Sequence, residues 1–200
     1  MKYIAQIATH LFHPVFIPAM VTGCYYLFNA SFFLPLEVSV ATGQAFLMTC
    51  LLPMCIYLFL KSTGLLRSSI MVDNVKERAV PIFLNIIIIN ILVFRVWENT
   101  SNNALKVFFI GYAISYSIMF FSVLLKKKYS IHTASLCSII PLFVDQTSTY
   151  LVSSVKLLPI LLLIIGLVAS SRLYLRAHTN IEIIMGAIIG FTPPFILFFL

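Results

Sequence analysis

Residues 171–186 carry the strongest chemical signal in the chain, because they place polar and ionisable side chains at the boundary of two apolar stretches. Ionisable groups at such a boundary are costly to bury, which indicates function. His178 and Glu182 are four residues apart, so a helix here would put both on one face, about 6 Å apart along its axis. A carboxylate so placed can orient the imidazole and raise the basicity of its other nitrogen.

Taken singly, each basic residue of this segment is also consistent with a helix end whose side chain extends toward the lipid headgroups. These residues are Arg172, Arg176 and His178, and Glu182 follows them. It is the combined spacing of basic, imidazole and acidic groups that favours a site over a simple helix end.

Two further polar pairs stand where apolar stretches begin. Ser130 and His132 stand at the start of one such stretch, and one reading of the pair is a helix cap, in which Ser130 accepts from an early backbone amide. Lys76 and Arg78 precede another stretch, where they either supply cations to a site or form a charged helix entry.

The elements that must position these groups are membrane-spanning helices. Of the 200 residues, 61% are hydrophobic and only 10% are charged, which excludes a water-soluble surface. A spanning helix needs about 20 mainly apolar residues. The pattern predicts one integral membrane domain over residues 1–200, an all-α polytopic bundle of seven spans, with six as the alternative. The predicted spans are residues 11–33, 39–61, 79–97, 104–125, 131–153, 156–175 and 181–200.

Seven spans place the second, fourth and sixth connections on the same side of the membrane. The polar residues of 61–78, 126–132 and 172–182 would then converge there. Ten lysines and arginines lie on this side and three on the other. Because cytoplasmic loops carry the excess of positive charge, we expect a multi-pass protein of the cell inner membrane with these polar residues on the cytoplasmic face.

The distribution of basic residues excludes a nucleic-acid-binding surface. The net charge is +7, but the basic residues are spread over short loops and form no basic face with interleaved aromatic residues. Anionic membrane lipid is the better partner. The four cysteines lie in apolar stretches without a CxxC pair or a neighbouring histidine. We therefore expect no metal site and no cofactor.

Two patterns concern packing and the membrane interface. Gly186 and Gly190 form a GxxxG pattern in the last span, which predicts close contact between helices of the bundle. His10 and His13 precede the first predicted span, and we assign them only an interfacial role.

The segment around His178 resembles a signature of the type 2 phosphatidic acid phosphatase superfamily. In that signature Ser-Arg is followed after five residues by a histidine and after three more by an aspartate; Glu182 stands here in place of the aspartate. The resemblance implies that His178 is the nucleophile and that Glu182 orients it. It also implies that Arg172 clamps two phosphoryl oxygens through its planar guanidinium group.

Two earlier signatures of the superfamily are matched in part. The second is Pro-Ser-Gly-His, of which Ser130 and His132 are present. The resemblance implies that Ser130 binds the phosphate and that His132 protonates the leaving lipid alkoxide. The first is a lysine followed after six residues by Arg-Pro; Lys76 and Arg78 lie at the expected place with a different spacing. The resemblance covers about residues 60–190, with the three signatures in the family's order.

The sequence thus predicts a metal-independent phosphatase or phosphoryl transferase that acts on a lipid phosphate through a phosphohistidine. One alternative is a membrane prenyltransferase, since Asp73 and Arg78 resemble part of its polar loop, although the second acidic cluster that magnesium diphosphate requires is missing. The other alternative is a protein that binds or transports lipid phosphate without hydrolysing it.

Overall fold

Helices form all of the regular structure in the described part of the chain. The structure is a computed structural model that describes residues 2–64, 78–98, 103–150 and 157–200. The helices are α1 (Lys2–Leu11), α2 (Ile17–Phe28), α3 (Pro35–Ser62), α4 (Ala79–Val96), α5 (Asn103–Leu124), α6 (Ile131–Cys137), α7 (Ile139–Tyr150), α8 (Leu158–Tyr174) and α9 (Asn180–Phe199). A short 3₁₀ helix covers Ala30–Phe32, and π-helical turns lie within α3 and at the end of α4. The predicted all-α class is confirmed for these residues.

Four helices, α3, α4, α5 and α9, are long and apolar enough to cross a membrane. They correspond to the predicted spans 39–61, 79–97, 104–125 and 181–200. The apolar helices α2 and α8 are shorter, at 12 and 17 residues. The four long helices are compatible with an integral membrane protein, and the count of six or seven spans stays a prediction.

Two predicted spans differ from the structure because of prolines. The predicted span 11–33 is interrupted, since Pro14 disfavours helical backbone at the residue before it. Helix α1 ends at Leu11, and α2 begins at Ile17. The predicted span 131–153 is divided into α6 and α7 at Ser138. Pro141 has no N–H to donate to the carbonyl of Cys137, four residues earlier, so a continuous helix is disfavoured there.

The bundle is organised around α5 and α9. Helix α9 packs against α5 and α6, α4 packs against α5, and α1 packs against α8. Large side chains fill the interior, among them the fully buried Trp97, Phe108 and Tyr112. Many leucine, isoleucine and phenylalanine side chains point outward, for example Leu163 with an exposed fraction of 75%. An apolar exterior of this kind fits a lipid environment and not water.

The predicted close contact at Gly186 and Gly190 is confirmed. A Cβ atom at Gly186 would overlap the carbonyl oxygen of Ser130, and one at Gly190 would overlap the backbone of Ala134. Both glycines therefore allow α9 to lie directly against the backbone of α6. This contact matters for the site, because α6 carries His132 and α9 begins beside His178.

Replacing Gly190 by alanine is expected to destabilise the bundle, because the added methyl group overlaps α6. We expect a decrease of about 1–3 kcal/mol in the free energy of unfolding, the usual cost of overpacking a close contact. Gly166→Ala is the matched control, since a Cβ at this glycine in α8 has no neighbour within 4 Å. Unfolding of both variants in detergent would measure the difference, and equal stabilities would contradict the contact.

Candidate functional site

The turn between α8 and α9 presents His178. Arg172 lies in the last turn of α8, and Thr179 caps α9 by accepting from the backbone N–H of Glu182 at 3.4 Å. The Glu182 carboxylate turns back and accepts from the backbone N–H of Thr179 at 3.1 Å, which completes a capping box. His178 therefore precedes the helix. The sequence predicts that His178 and Glu182 share one helix face, and the structure does not have this arrangement. The predicted pair is nevertheless formed, with 2.9 Å between His178 Nδ1 and Glu182 Oε2.

The hydrogen bonds of His178 define its tautomer. Nδ1 lies 2.9 Å from the Glu182 carboxylate and 3.1 Å from the carbonyl oxygen of Lys128. Both partners are acceptors, so Nδ1 carries the proton and donates to them. The neutral ring then has its lone electron pair on Nε2. A lone pair on an oriented imidazole is what a nucleophile or a general base needs.

His178 is kept neutral by its surroundings. Burial is the largest influence and lowers the pKa of His178 from 6.5 to about 4, against the hydrogen bond with Glu182, which raises it. The positive charges of Arg172 and Arg78 lower the pKa further. The neutral state with a free Nε2 is therefore the state present near pH 7.

We expect His178 to titrate near pH 4 and not near 6.5 in the folded protein. Because its folded pKa lies below the unfolded value, His178 costs no stability above pH 6.5 and destabilises the fold as the pH falls from 6.5 toward 4. The measurement is the pH dependence of the ¹⁵N-histidine NMR signals in detergent, with His178→Asn to assign the resonance. A midpoint at 6.5 for His178 would contradict the buried, neutral imidazole.

Backbone hydrogen bonds join the turn of His178 to the start of α6. The N–H of Ser130 donates to the carbonyl oxygen of Glu182 at 3.0 Å, and the hydroxyl of Thr133 lies 3.3 Å from the carbonyl oxygen of Ile183. Ser130 caps α6, because its hydroxyl accepts from the N–H of Thr133 at 3.4 Å. It is fully buried and does not line the cavity described below. The structure thus gives Ser130 the capping role, and its contact with a phosphate stays a prediction.

A cavity of about 110 Å³ brings together four of the predicted site residues: Arg78, His132, Arg172 and His178. They come from the start of α4, from α6, from the end of α8 and from the turn before α9. All four are buried, with exposed fractions of 4–8%. Glu182 and Ser130 do not line the cavity; Glu182 hydrogen-bonds His178, and Ser130 caps the helix that carries His132. Lys76 lies outside the described residues.

His132 has an unsatisfied nitrogen in this cavity. The side chain is 7% exposed, and its Nε2 has no hydrogen-bond partner within the described structure. Buried polar atoms are nearly always hydrogen-bonded, so an unpaired one in a cavity wall indicates a ligand or a reacting group that completes it. This is the position expected for a group that exchanges a proton with a bound molecule.

The charge of the cavity wall favours an anion. The lining described by the structure contains two arginines and three histidines but no acidic residue. Among the described residues, no group of three or more histidine, cysteine, aspartate or glutamate side chains is arranged to hold a metal ion. The volume is well below the ~300–1,000 Å³ of typical ligand pockets, so the cavity suits a small anionic group and not a whole ligand.

Three polar residues of the cavity wall were not predicted as site residues: His13, Asn85 and Tyr116. His13 was assigned an interfacial role only, whereas it lies in the break between α1 and α2 and faces the site. Asn85 is 6% exposed, and its Oδ1 has no hydrogen-bond partner within the described structure. A polar residue in the isoleucine-rich α4 is itself a signal of function that the sequence offered. Tyr116 is a tyrosine within an aromatic helix and offered no such signal.

An apolar groove of about 270 Å³ adjoins the cavity. The two share His13, Val15, Pro81 and Asn85 in their walls. The remaining wall of the groove is mainly apolar and comes from α3, from α4 and from Phe16 just before α2, with His10 of α1 as a further polar residue. A molecule with an anionic end in the cavity can therefore extend an apolar part along the groove.

A comparison of the chain with models of protein families, with curated proteins and with solved structures finds no match.

Proposed function

We propose that the chain is a multi-pass membrane phosphatase that hydrolyses a lipid phosphomonoester or diphosphate, without a metal, through a phosphohistidine at His178. The observation that carries the proposal is the cavity itself. It combines an oriented, neutral imidazole with two buried arginines and a second histidine whose Nε2 is unpaired. The signature spacing around His178, which resembles that of the type 2 phosphatidic acid phosphatases, supports the same reaction.

In the first step Nε2 of His178 attacks the phosphorus atom. The N–P bond forms as the bond from phosphorus to the leaving oxygen breaks, and His132, which is protonated while the phosphate anion is bound beside it, gives its proton to that oxygen. Arg172 and Arg78 bind the phosphoryl oxygens and stabilise their charge in the transition state. Glu182 stabilises the positive charge that develops on the His178 ring.

In the second step water attacks the phosphohistidine. His132, now neutral, accepts a proton from the water as the new O–P bond forms and the N–P bond breaks. Inorganic phosphate leaves, and both histidines return to their initial states. Each histidine therefore acts in both half-reactions, His178 as nucleophile and then as leaving group, His132 as general acid and then as general base.

The apolar groove supports a lipid as the substrate class. A phosphate in the cavity would have its hydrocarbon part in the groove, beside α3 and α4. In this proposal the six or seven spans hold the site near the membrane surface, on the cytoplasmic side of the inner membrane. The groove then lets the chain of the lipid remain in apolar surroundings while its headgroup meets the buried cations.

Release of inorganic phosphate from a panel of lipid phosphates by the purified protein, in detergent with EDTA, tests this function. We expect release from at least one lipid phosphate or diphosphate. Binding of the same lipids without any release would favour the alternative of a lipid-phosphate-binding or transport protein. Release that requires added magnesium would contradict the metal-independent mechanism.

A further inference from the structure

We propose that His13 is a further substrate-contacting residue, which donates a hydrogen bond from Nε2 to the phosphoryl group bound between Arg78 and Arg172. The inference rests on the proposed function only for the identity of the ligand as a phosphoryl group. The contact itself is argued from the position, the tautomer and the neighbours of His13.

The position of His13 follows from Pro14. The proline ends α1 and turns the chain, so His13 lies in the irregular backbone between α1 and α2 instead of on a helix surface. Helix α1 packs against α8, the helix that carries Arg172. This packing brings His13 to the wall of the cavity, where it is half-buried.

The hydrogen bonding of His13 makes it a donor to the cavity. Its Nδ1 accepts from the backbone N–H of Val15 at 3.3 Å. The neutral ring therefore carries its proton on Nε2, the reverse of His178, in which Nδ1 is the protonated nitrogen. His178 thus offers the cavity a lone pair, and His13 offers it an N–H. The first is suited to attack, and the second to binding an oxygen anion.

The neighbours of His13 place this donor beside the reacting groups. Its ring meets that of His132 edge to face, with centroids 5.3 Å apart and an angle of 88° between the planes. His132 is the residue whose buried Nε2 lacks a partner in the described structure. Both rings share the cavity with the two arginines. An anion held by the arginines would therefore satisfy both histidines at once, because its oxygens would accept the hydrogen bond from Nε2 of His13 and the proton of His132.

His13 also stands at the junction of the two spaces. It is one of the four residues that line both the cavity and the apolar groove. Its neighbour His10 lines only the groove, is exposed and hydrogen-bonds within α1 to the carbonyl oxygen of Gln6. The chain thus provides a matched control, a second histidine three residues away that faces the groove alone.

The first test measures binding of inorganic phosphate by the purified full chain, from its stabilisation against thermal unfolding. We expect His13→Leu to weaken phosphate binding by roughly 10-fold or more, the usual effect of losing one hydrogen bond to a charged group. His13→Gln should bind within about threefold of wild type, because its amide can donate from near the Nε2 position. His10→Leu should bind as wild type does. Wild-type binding by His13→Leu, or equal losses in His13→Leu and His13→Gln, would overturn the proposal.

The second test needs no substitution in the site. In ¹⁵N-histidine NMR spectra of the wild-type chain, inorganic phosphate should shift the Nε2 signal of His13 and leave that of His10 unchanged. An unmoved His13 signal at saturating phosphate would overturn the contact, even where His13→Leu fails to fold. Hydrolysis that depends on His178 together with an unmoved His13 signal rejects only the His13 contact. A shifted His13 signal in a protein that hydrolyses no lipid phosphate rejects only the proposed catalysis.

Discussion

Replacing His178 by alanine is expected to reduce phosphate release from a lipid phosphate by roughly 10⁴-fold or more, the scale seen when a catalytic nucleophile is removed. The physical reason is that the oriented Nε2 of His178 is the atom that attacks phosphorus. The other cavity residues still bind the substrate, so the loss should appear in kcat and much less in KM. Initial rates over a range of substrate concentrations in mixed micelles would measure both.

Two control variants separate the loss of chemistry from the loss of structure. His178→Asn retains an amide that can donate to Glu182 and to the carbonyl oxygen of Lys128, so the turn before α9 should remain intact. It should nevertheless be as inactive as His178→Ala. Gly166→Ala, at a position in α8 that lines neither the cavity nor the groove, should retain wild-type rates. Activity within tenfold of wild type in either His178 variant would rule out a phosphohistidine at this residue.

Arg172→Lys should lower kcat/KM by about 10²-fold, although the positive charge is kept. A guanidinium group can bind two phosphoryl oxygens in parallel, whereas an ammonium group is a single point charge, and the loss of one such donor in a transition state costs about 10²–10³-fold. Arg172 is 4% exposed and lines the cavity, so little water is available to replace the lost hydrogen bond. Steady-state kinetics in mixed micelles would measure the change.

Arg176→Lys is the matched control for this substitution. Arg176 lies four residues further along the same segment, is exposed and does not line the cavity. Its backbone has a positive φ of 53°, and lysine keeps the side-chain length and charge at this strained position. We expect its kcat/KM to stay within about twofold of wild type. Equal effects of the two substitutions would mean that the segment acts through its overall charge and not through a clamp at Arg172.

Four of the residues that converge on the cavity could be predicted from the sequence, because each of them stands at the end of an apolar stretch. The pairing of His178 with Glu182 needs only the four-residue separation and the start of a helix. The prediction of seven spans puts the polar connections on one side of the membrane; that count stays a prediction, but the structure brings Arg78, His132, Arg172 and His178 to one cavity. The close approach at Gly186 and Gly190 followed from the absence of side chains at two positions one turn apart.

The sequence predictions that differ from the structure do so for physical reasons, which lie in the tertiary structure and in the local backbone. The break at Pro14 interrupts the first predicted span, and only the packing of α1 on α8 shows that the break faces the site. The sequence therefore predicts only an interfacial role for His13. Similarly, hydropathy continues through residues 131–153, but the missing N–H of Pro141 divides the helix at Ser138. The capping role of Ser130 depends on the local backbone geometry at the start of α6, which residue types alone do not distinguish from phosphate binding.

The most direct test of the central claim is to trap the phosphorylated enzyme. The purified protein would be mixed with a lipid phosphate carrying ³²P in the phosphoryl group, denatured at alkaline pH within milliseconds, and digested for mass spectrometry and radiography. The account predicts a label that is stable in alkali, is lost in acid and maps to the peptide containing His178. Steady release of phosphate with no label on the protein, or with the label on another residue, would contradict it.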